Sequence, residues 1–330
     1  MRVQERLATR GSGVSTSTDA RRPPPVTITI GLDVGGTKIL GVVCDAGGVV
    51  LDEARKDSAY ERVQLFDAMA EVVRGFADWE AVALGVGIAG MVTLDGRLRY
   101  GPNLPGVEEI DVRAEMVDRV GQRPVVENDA NVAAYGEARF GAARGHDHVL
   151  MVTLGTGIGG GIVVGGEIVR GANGFAGEIG HWTVQRGGPR CACGADGHWE
   201  AIASGSALGR MAREAVATGR LVLDGAIDGH RVADAARAGD EAARGVVTEY
   251  AQNVAIGLAG LATILDPEVI VIAGGVVEMG EVLFAPLRAA FHEHLEGREH
   301  RPAIALVPAT LGERAGAIGA AALAAASVRT

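Results

Sequence analysis

Basic charge is in deficit: 31 Lys and Arg stand against 41 Asp and Glu, a formal net charge of −10. Nucleic-acid backbones are gripped by Lys/Arg stripes that displace counterions, so the balance argues against DNA or RNA as the main partner. A phosphate ligand stays open, because backbone N–H groups and Mg²⁺ can meet that charge. Cysteine is scarce, with 3 in 330 residues. That excludes a disulfide framework and indicates a reducing compartment. No apolar run reaches the roughly 18 residues of a membrane helix, and the N-terminus lacks the apolar core of a signal peptide. A cytoplasmic protein with no membrane partner is expected. Aromatics are also few, at 13. What the chain has instead is 48% hydrophobic residues and 50 glycines. Its length suffices for two domains, and its glycines mark many tight turns or close backbone approaches.

Residues 1–25 carry five arginines, a Ser/Thr cluster and Pro23-Pro24-Pro25 without periodicity. They are expected to be a disordered tail, too short for a helix-turn-helix. From Val26 the chain reads as three strands (TITIGLD, ILGVVCD, VVLDEARK) joined by the loop Asp33–Lys38 and a glycine turn, an antiparallel meander. Cys44 falls in an apolar run and reads as an inert buried thiol. A helix near 63–76 and an apolar strand over 81–89 follow. A second helix is expected near 107–120, then a short strand from Pro124 that delivers Glu127-Asn128-Asp129 to a helix ending near Phe140. The opening pattern then recurs: strand HVLMVTL, loop Gly155–Gly161, strand IVV, a glycine turn, strand EIVRG. The glycine loops lie about 120 residues apart, too far for a solenoid period. Two related domains with facing glycine loops are expected. Later elements include a helix near 241–264, a strand over 269–275 and an Ala-rich helix over 316–327.

Gly155, Gly157 and Gly160 satisfy G-x-G-x-x-G, but a dinucleotide site needs a helix directly after the loop. Here strand composition follows, so that reading fails. Walker A fails too, since Gly35-Gly36-Thr37-Lys38 has the wrong order. Two hairpin tips remain, each able to aim successive N–H groups at an anion. A third feature is Gly177–Glu200, which packs His181, Cys191, Cys193 and His198 into 18 residues. Thiolates and imidazoles so spaced suit tetrahedral zinc. Glu178 and Glu200 bracket the cluster, so a metal-folded loop presenting two carboxylates to a substrate is expected.

The motifs LDVGGTK (32–38), PNLPG (102–106), VENDAN (126–131), LGTGIGGG (154–161), GEIGH (177–181), CACGADGHWE (191–200) and IAGGV (272–276) together resemble the ROK family of sugar kinases, of the actin-like ATPase superfamily. The ATP-dependent glucokinases of that family are the nearest in pattern. The resemblance covers about residues 26–330. It implies an α/β, two-domain actin-like ATPase (ribonuclease H-like) fold with a cleft between domains. The implied division is a small domain over 26–133 plus 317–330 and a large domain over 134–316 that holds the zinc loop.

The same resemblance implies residue roles. Gly35, Gly36, Thr37 and Lys38 would line the first phosphate loop, with Asp33 near Mg²⁺. Thr156 and Gly157 would lie in the second loop, and Gly274 and Gly275 beside the adenosine of ATP. Asn103, Asn128, Asp129, Glu178, His181 and Glu200 would contact the sugar. Asp129 would be the general base that takes the proton of the attacking 6-hydroxyl of glucose. By position alone Asp129 also suits a helix N-cap. His181, Cys191 and Cys193 would hold structural Zn²⁺, and His198 stands where the family pattern places a further cysteine. The residues after Glu200 (AIA) and Val107 also depart from that pattern, which leaves open another hexose, an N-acetylhexosamine or a cyclitol as substrate. A sugar-responsive repressor is the reading from another class; the short unpatterned start and acidic charge argue against it. A homodimer or homotetramer is a further implication.

Overall fold

A computed structural model describes residues 27–104 and 106–328. The expected tail over 1–25 lies outside the described residues, as do Pro105 and the last two positions. Two five-stranded sheets organise the chain. In the first, β1 (Thr29–Val34), β2 (Lys38–Cys44) and β3 (Val50–Asp57) form the expected antiparallel meander. β4 (Ala83–Ile88) then adds parallel to β1. A small sheet interrupts, made of β5 (Met91–Val92), β6 (Arg97–Tyr100) and β7 (Ile110–Asp111). β8 (Val125–Asn128) closes the first sheet beside β4, giving the order β3-β2-β1-β4-β8.

The second sheet repeats this plan. β9 (Val149–Leu154), β10 (Ile158–Val164) and β11 (Glu167–Ile168) form a meander, and β12 (Val269–Ala273) and β13 (Ala305–Pro308) add in parallel. The order β11-β10-β9-β12-β13 matches the first sheet position for position. The internal repeat is therefore real, and it extends beyond the meander to both parallel strands. The central parallel strands β4 and β12 are apolar throughout because helices cover both faces. β4 and β12 are buried along their whole length.

Helices α1 (Arg62–Gly75) and α2 (Val112–Val120) cover one face of the first sheet, packing Leu65, Phe66, Met69 and Met116 into its core. α2 is shorter than expected, because Ile110–Asp111 pairs with β6 and Asp111 caps the helix by accepting from Ala114 N–H. Helix α3 (Asp129–Phe140) packs against the C-terminal helix of the chain. α4 (Trp199–Ala203), α5 (Gly205–Ala217), α6 (Gly229–Arg237), α7 (Glu241–Leu265) and α8 (Glu281–His294) build the larger core on the second sheet. α7 is 25 residues long, starting at the Asp240 cap and ending at Asp266 in left-handed conformation. Among the described residues no helix is long and apolar enough to cross a membrane.

The last helix, α9 (Ala315–Val328), lies directly on β1 and β4. Its alanines suit that position: a Cβ on Gly31 would stand 1.9 Å from the Ala317 carbonyl oxygen, and one on Gly85 2.0 Å from that of Ala320. Backbone meets backbone there, so only glycine fits the strand. α9 thereby brings Gly316 against the carboxylate of Asp33, where an added Cβ would lie 2.6 Å from Oδ2. Cys44 is buried, and burial first and Asp45 second push its thiol up to about 12, in keeping with an inert core position.

Candidate active site

Both glycine loops leave the matching first strand of their sheet. After β1 the chain turns at Gly35, whose N–H donates to the Lys38 carbonyl oxygen at 3.0 Å. Gly36 faces Asn103, since a Cβ there would meet the Asn103 carbonyl oxygen at 2.5 Å. The two sequence motifs are thus one surface. Lys38 projects along β2, and its Nζ pairs with Glu313 at 2.8 Å on an exposed rim.

After β9 the loop is shorter than the seven residues read from the sequence. Only Gly155-Thr156-Gly157 form it, and β10 begins at Ile158. Gly155 N–H donates to the Gly157 carbonyl oxygen at 3.0 Å. No helix follows, which agrees with rejecting a dinucleotide fingerprint. Glu200 holds this loop: its Oε2 accepts from Ile158 N–H at 3.0 Å. A Cβ on Gly157 would collide with the same oxygen at 2.4 Å, so glycine is needed for the carboxylate to reach the loop.

Beside the loop opens a cavity of about 440 Å³. Thr156 and Gly275 line it with Leu208, Asp228, His230, Arg237 and Met279. Gly274 supports it from behind, in left-handed conformation with φ 93°, where a Cβ would lie 2.3 Å from the Leu154 carbonyl oxygen. The lining residues on α5 and α6 were missed in the sequence. Their one legible signal was Asp228-Gly229, which caps α6 through a bond from Arg231 N–H.

At the junction of β8 and α3 the capping question has a clear answer. Asn128, not Asp129, is the N-cap: its Oδ1 accepts from Asn131 N–H at 3.0 Å. Its Nδ2 donates to the Gly90 carbonyl oxygen and to Asp129 Oδ1, both at 3.0 Å. Asp129 is the first helical residue and is released from capping. Burial raises its pKa above the ordinary aspartate range, opposed by N–H bonds from the helix start and from Asn128. Asp33 is pushed up to about 7, by burial first and then by the charge of Asp129, with Lys38 pulling the other way. Glu178 is raised by burial, lowered by His181, and raised again by Asp129 and Glu200. The charge of Asp129 reaches both Asp33 and Glu178, and that of Glu200 reaches Glu178, so these four carboxylates lie in one region.

Glu178 and His181 flank a single 3-10 turn, Ile179–His181. Ile179 is buried and seats that turn on β10. The next segment folds back through Thr183–His198 and Arg190–Asp196 bridges. His198 is then the residue before α4, whose Trp199 is fully buried and donates from Nε1 to the Asn253 carbonyl oxygen of α7 at 3.0 Å. That anchor fixes Glu200 one residue later.

His181, Cys191, Cys193 and His198 each offer one ligand atom, all within 4.8 Å of one another. Cys191 Sγ lies 3.7 Å from His181 Nδ1, and Cys193 Sγ 3.2 Å from His198 Nδ1. Ligand atoms around tetrahedral Zn²⁺ stand about 3.3–3.8 Å apart, given bond lengths of roughly 2.0–2.3 Å. Two of the pairs stand near that spacing, and the donor set is compatible with that ion in its chemistry. Cys191 Sγ also donates to Glu200 Oε1 at 3.2 Å, so the cluster abuts the carboxylate that holds the second loop. One residue was named in the sequence reading without a role. Glu127, the second residue of VENDAN, is a buried carboxylate paired with Arg170 at 2.6 Å.

Comparison with known proteins bears on this arrangement. The ROK family model matches residues 29–327. Glucokinase of Streptomyces coelicolor is 38% identical over 90% of this chain and 97% of its own length. Glucokinase of Thermotoga maritima is 35% identical over 89% and 96%. The crystal structure of a ROK family glucokinase from Streptomyces griseus, in complex with glucose and AMPPNP, superposes with a TM-score of 0.80 at 40% identity, over 91% of this chain and 99% of that one. The fold is the two-domain actin-like ATPase fold expected from the motifs. By family model, relatives and architecture together, this chain belongs to the ROK family.

Proposed function

We propose that this chain transfers the γ-phosphoryl group of ATP to the 6-hydroxyl of glucose, yielding glucose 6-phosphate and ADP. The observation that carries this reading is Asp129: a carboxylate of raised pKa, released from helix capping, held by the Asn128 amide and near enough to Asp33, where the first glycine loop begins, for its charge to act there. The glucose and ATP analogue in the S. griseus relative support the choice of substrates.

A sugar hydroxyl is a weak nucleophile at neutral pH. Asp129 accepts its proton as the O–P bond forms, and such assistance is worth ~10²–10⁴ in rate. A raised pKa makes it a stronger base than a solvated aspartate. Asn103, Asn128, Glu178, His181 and Glu200 hold the sugar hydroxyls and orient the reacting one. The backbone N–H groups of Gly36–Lys38 and Thr156–Gly157 receive the phosphates, with Gly35 closing the first turn onto the Lys38 carbonyl oxygen, while the cavity beside Thr156 and Gly275 takes the nucleoside. Mg²⁺ bound beside Asp33 would neutralise phosphate charge as the transferring group develops it. Asp33 fits a cation there, since its carboxylate otherwise ionises at a cost near Asp129. Structural Zn²⁺ held by His181, Cys191, Cys193 and His198 would set the loop that carries His181 and Glu200.

The division into a small domain over 26–133 plus the last helix and a large domain over 134–316 is part of the proposal. The nominal break at 133/134 falls inside α3, which runs unbroken from Asp129 to Phe140. α3 and α9 are therefore the elements about which the domains would close, excluding water that competes for the phosphoryl group. The test is ADP release measured across glucose, mannose, N-acetylhexosamines and cyclitols. Glucose is expected to give the highest kcat/KM. A cyclitol or amino sugar far above glucose would overturn the substrate, and no ADP release with any of them would overturn the reaction.

A further inference from the structure

We infer that Arg170 is a positioning residue for phosphoryl transfer, acting on Asp129 through Glu127. This rests on the reading of Asp129 as the base. Glu127 is 4% exposed, so its carboxylate has given up water and must be repaid by donors. It has three. Oε1 accepts from Asn128 N–H and from Asn131 Nδ2, each at 3.0 Å, and Oε2 accepts from Arg170 Nε at 2.6 Å.

The contacts run in one line. Arg170 fixes Glu127, Glu127 fixes the Asn128 backbone and the Asn131 amide, and Asn128 Nδ2 reaches Asp129 Oδ1 at 3.0 Å. Arg170 also acts in the other direction. Its carbonyl oxygen accepts from Ala176 N–H at 3.1 Å, closing the loop that leads to Glu178 and His181. One residue following β11 thus sets both the base-bearing helix start and the loop bearing the sugar-side carboxylate. A charge pair with Glu127 buried and Arg170 half-buried adds little stability over well-packed apolar residues, but it imposes geometry through its directional bonds. That is the property a base needs, because small misplacements of reacting groups cost large factors in rate. A cavity of about 290 Å³ adjoins the pair, also lined by Thr93 and Arg113. It gives water room to reach Glu127 once the arginine is shortened, so orientation suffers more than folding.

The experiment compares wild type with Arg170→Met, Arg170→Lys, Glu127→Gln/Arg170→Met and Asp129→Asn, measuring kcat, the KM for glucose and glucose binding by calorimetry. Arg170→Met is expected to lower kcat ~10–100-fold while KM and glucose affinity stay within about threefold. Arg170→Lys, which keeps the charge, is expected to recover most of kcat. The double variant holds no unpaired charge and so folds even if Arg170→Met does not. Its kcat is expected to fall as far as that of Arg170→Met, without multiplying a separate loss at Glu127. A double variant with kcat within twofold of wild type, or with its loss confined to KM, overturns the inference. Asp129→Asn separates the two claims: if it is inactive while the Arg170 variants are normal, only the positioning role falls, and if it is active, the base assignment falls first.

Discussion

Asp33 is predicted to destabilise the protein at neutral pH, and Asp33→Asn to remove that cost. In the folded chain burial and the nearby charge of Asp129 raise its pKa from 3.8 to about 7. The folded state therefore keeps a proton that the unfolded state has released over that interval. By linkage, stability contributed by the protonated group is complete below pH 3.8 and is lost progressively as pH rises through about 7. A shift of about three units at 1.36 kcal/mol each gives ~4 kcal/mol. Partial access of solvent to the residue trims this to about 2–4 kcal/mol. Asparagine has the same shape and still fits against Gly316, but it does not ionise. In urea melts without added Mg²⁺, the stability gain of Asp33→Asn over wild type should grow from near zero at pH 4 to about 2–4 kcal/mol at pH 8. Its kinase activity should fall at the same time, a stability–activity exchange common at functional sites. A gain that is equal at both pH values, or no gain at pH 8, would refute the reasoning.

Other consequences concern the metal loop and the nucleotide cavity. About one Zn²⁺ per chain should co-purify, and Cys191→Ser should lower both metal content and melting temperature; structural zinc is worth on the order of 10–16 kcal/mol in small peptides. Elemental analysis of folded, active protein that finds no zinc would count against the assignment. Leu208→Trp should fill part of the 440 Å³ cavity beside Thr156 and Gly275. Its KM for ATP should rise more than ~10-fold, about 1.4 kcal/mol of binding, with calorimetric glucose affinity unchanged. Loss of glucose binding instead would place the cavity elsewhere in the reaction.

Much of the fold was legible because its signals are local. The apolar runs of β4 and β12 and the glycine turns of both meanders declare themselves within a few residues. So do Cys191, Cys193 and His198, which chain spacing alone brings near one another. What stayed hidden depends on partners far away in sequence. The short strands β5, β6 and β7 have no periodicity to show, and β13 exists only because β12 lies beside it. The loop after β9 looked seven residues long because Gly159–Gly161 read as loop, whereas they lie in β10, packed closely against α3 and Ile179. Asp129 read as a cap by position and as a base only through the motif it belongs to, and the structure gives the cap to Asn128. Glu127 gave no sign at all, since a glutamate in a strand reads as a solvated acid until Arg170 is placed against it.

The most direct measurement of the central claim is the steady-state rate of Asp129→Asn with ATP and glucose, paired with calorimetric glucose binding. Removal of the base predicts a fall in kcat of ~10²–10⁴ with glucose affinity within a few-fold of wild type. A kcat within tenfold of wild type would contradict it and move the proton acceptor to another carboxylate of the cleft.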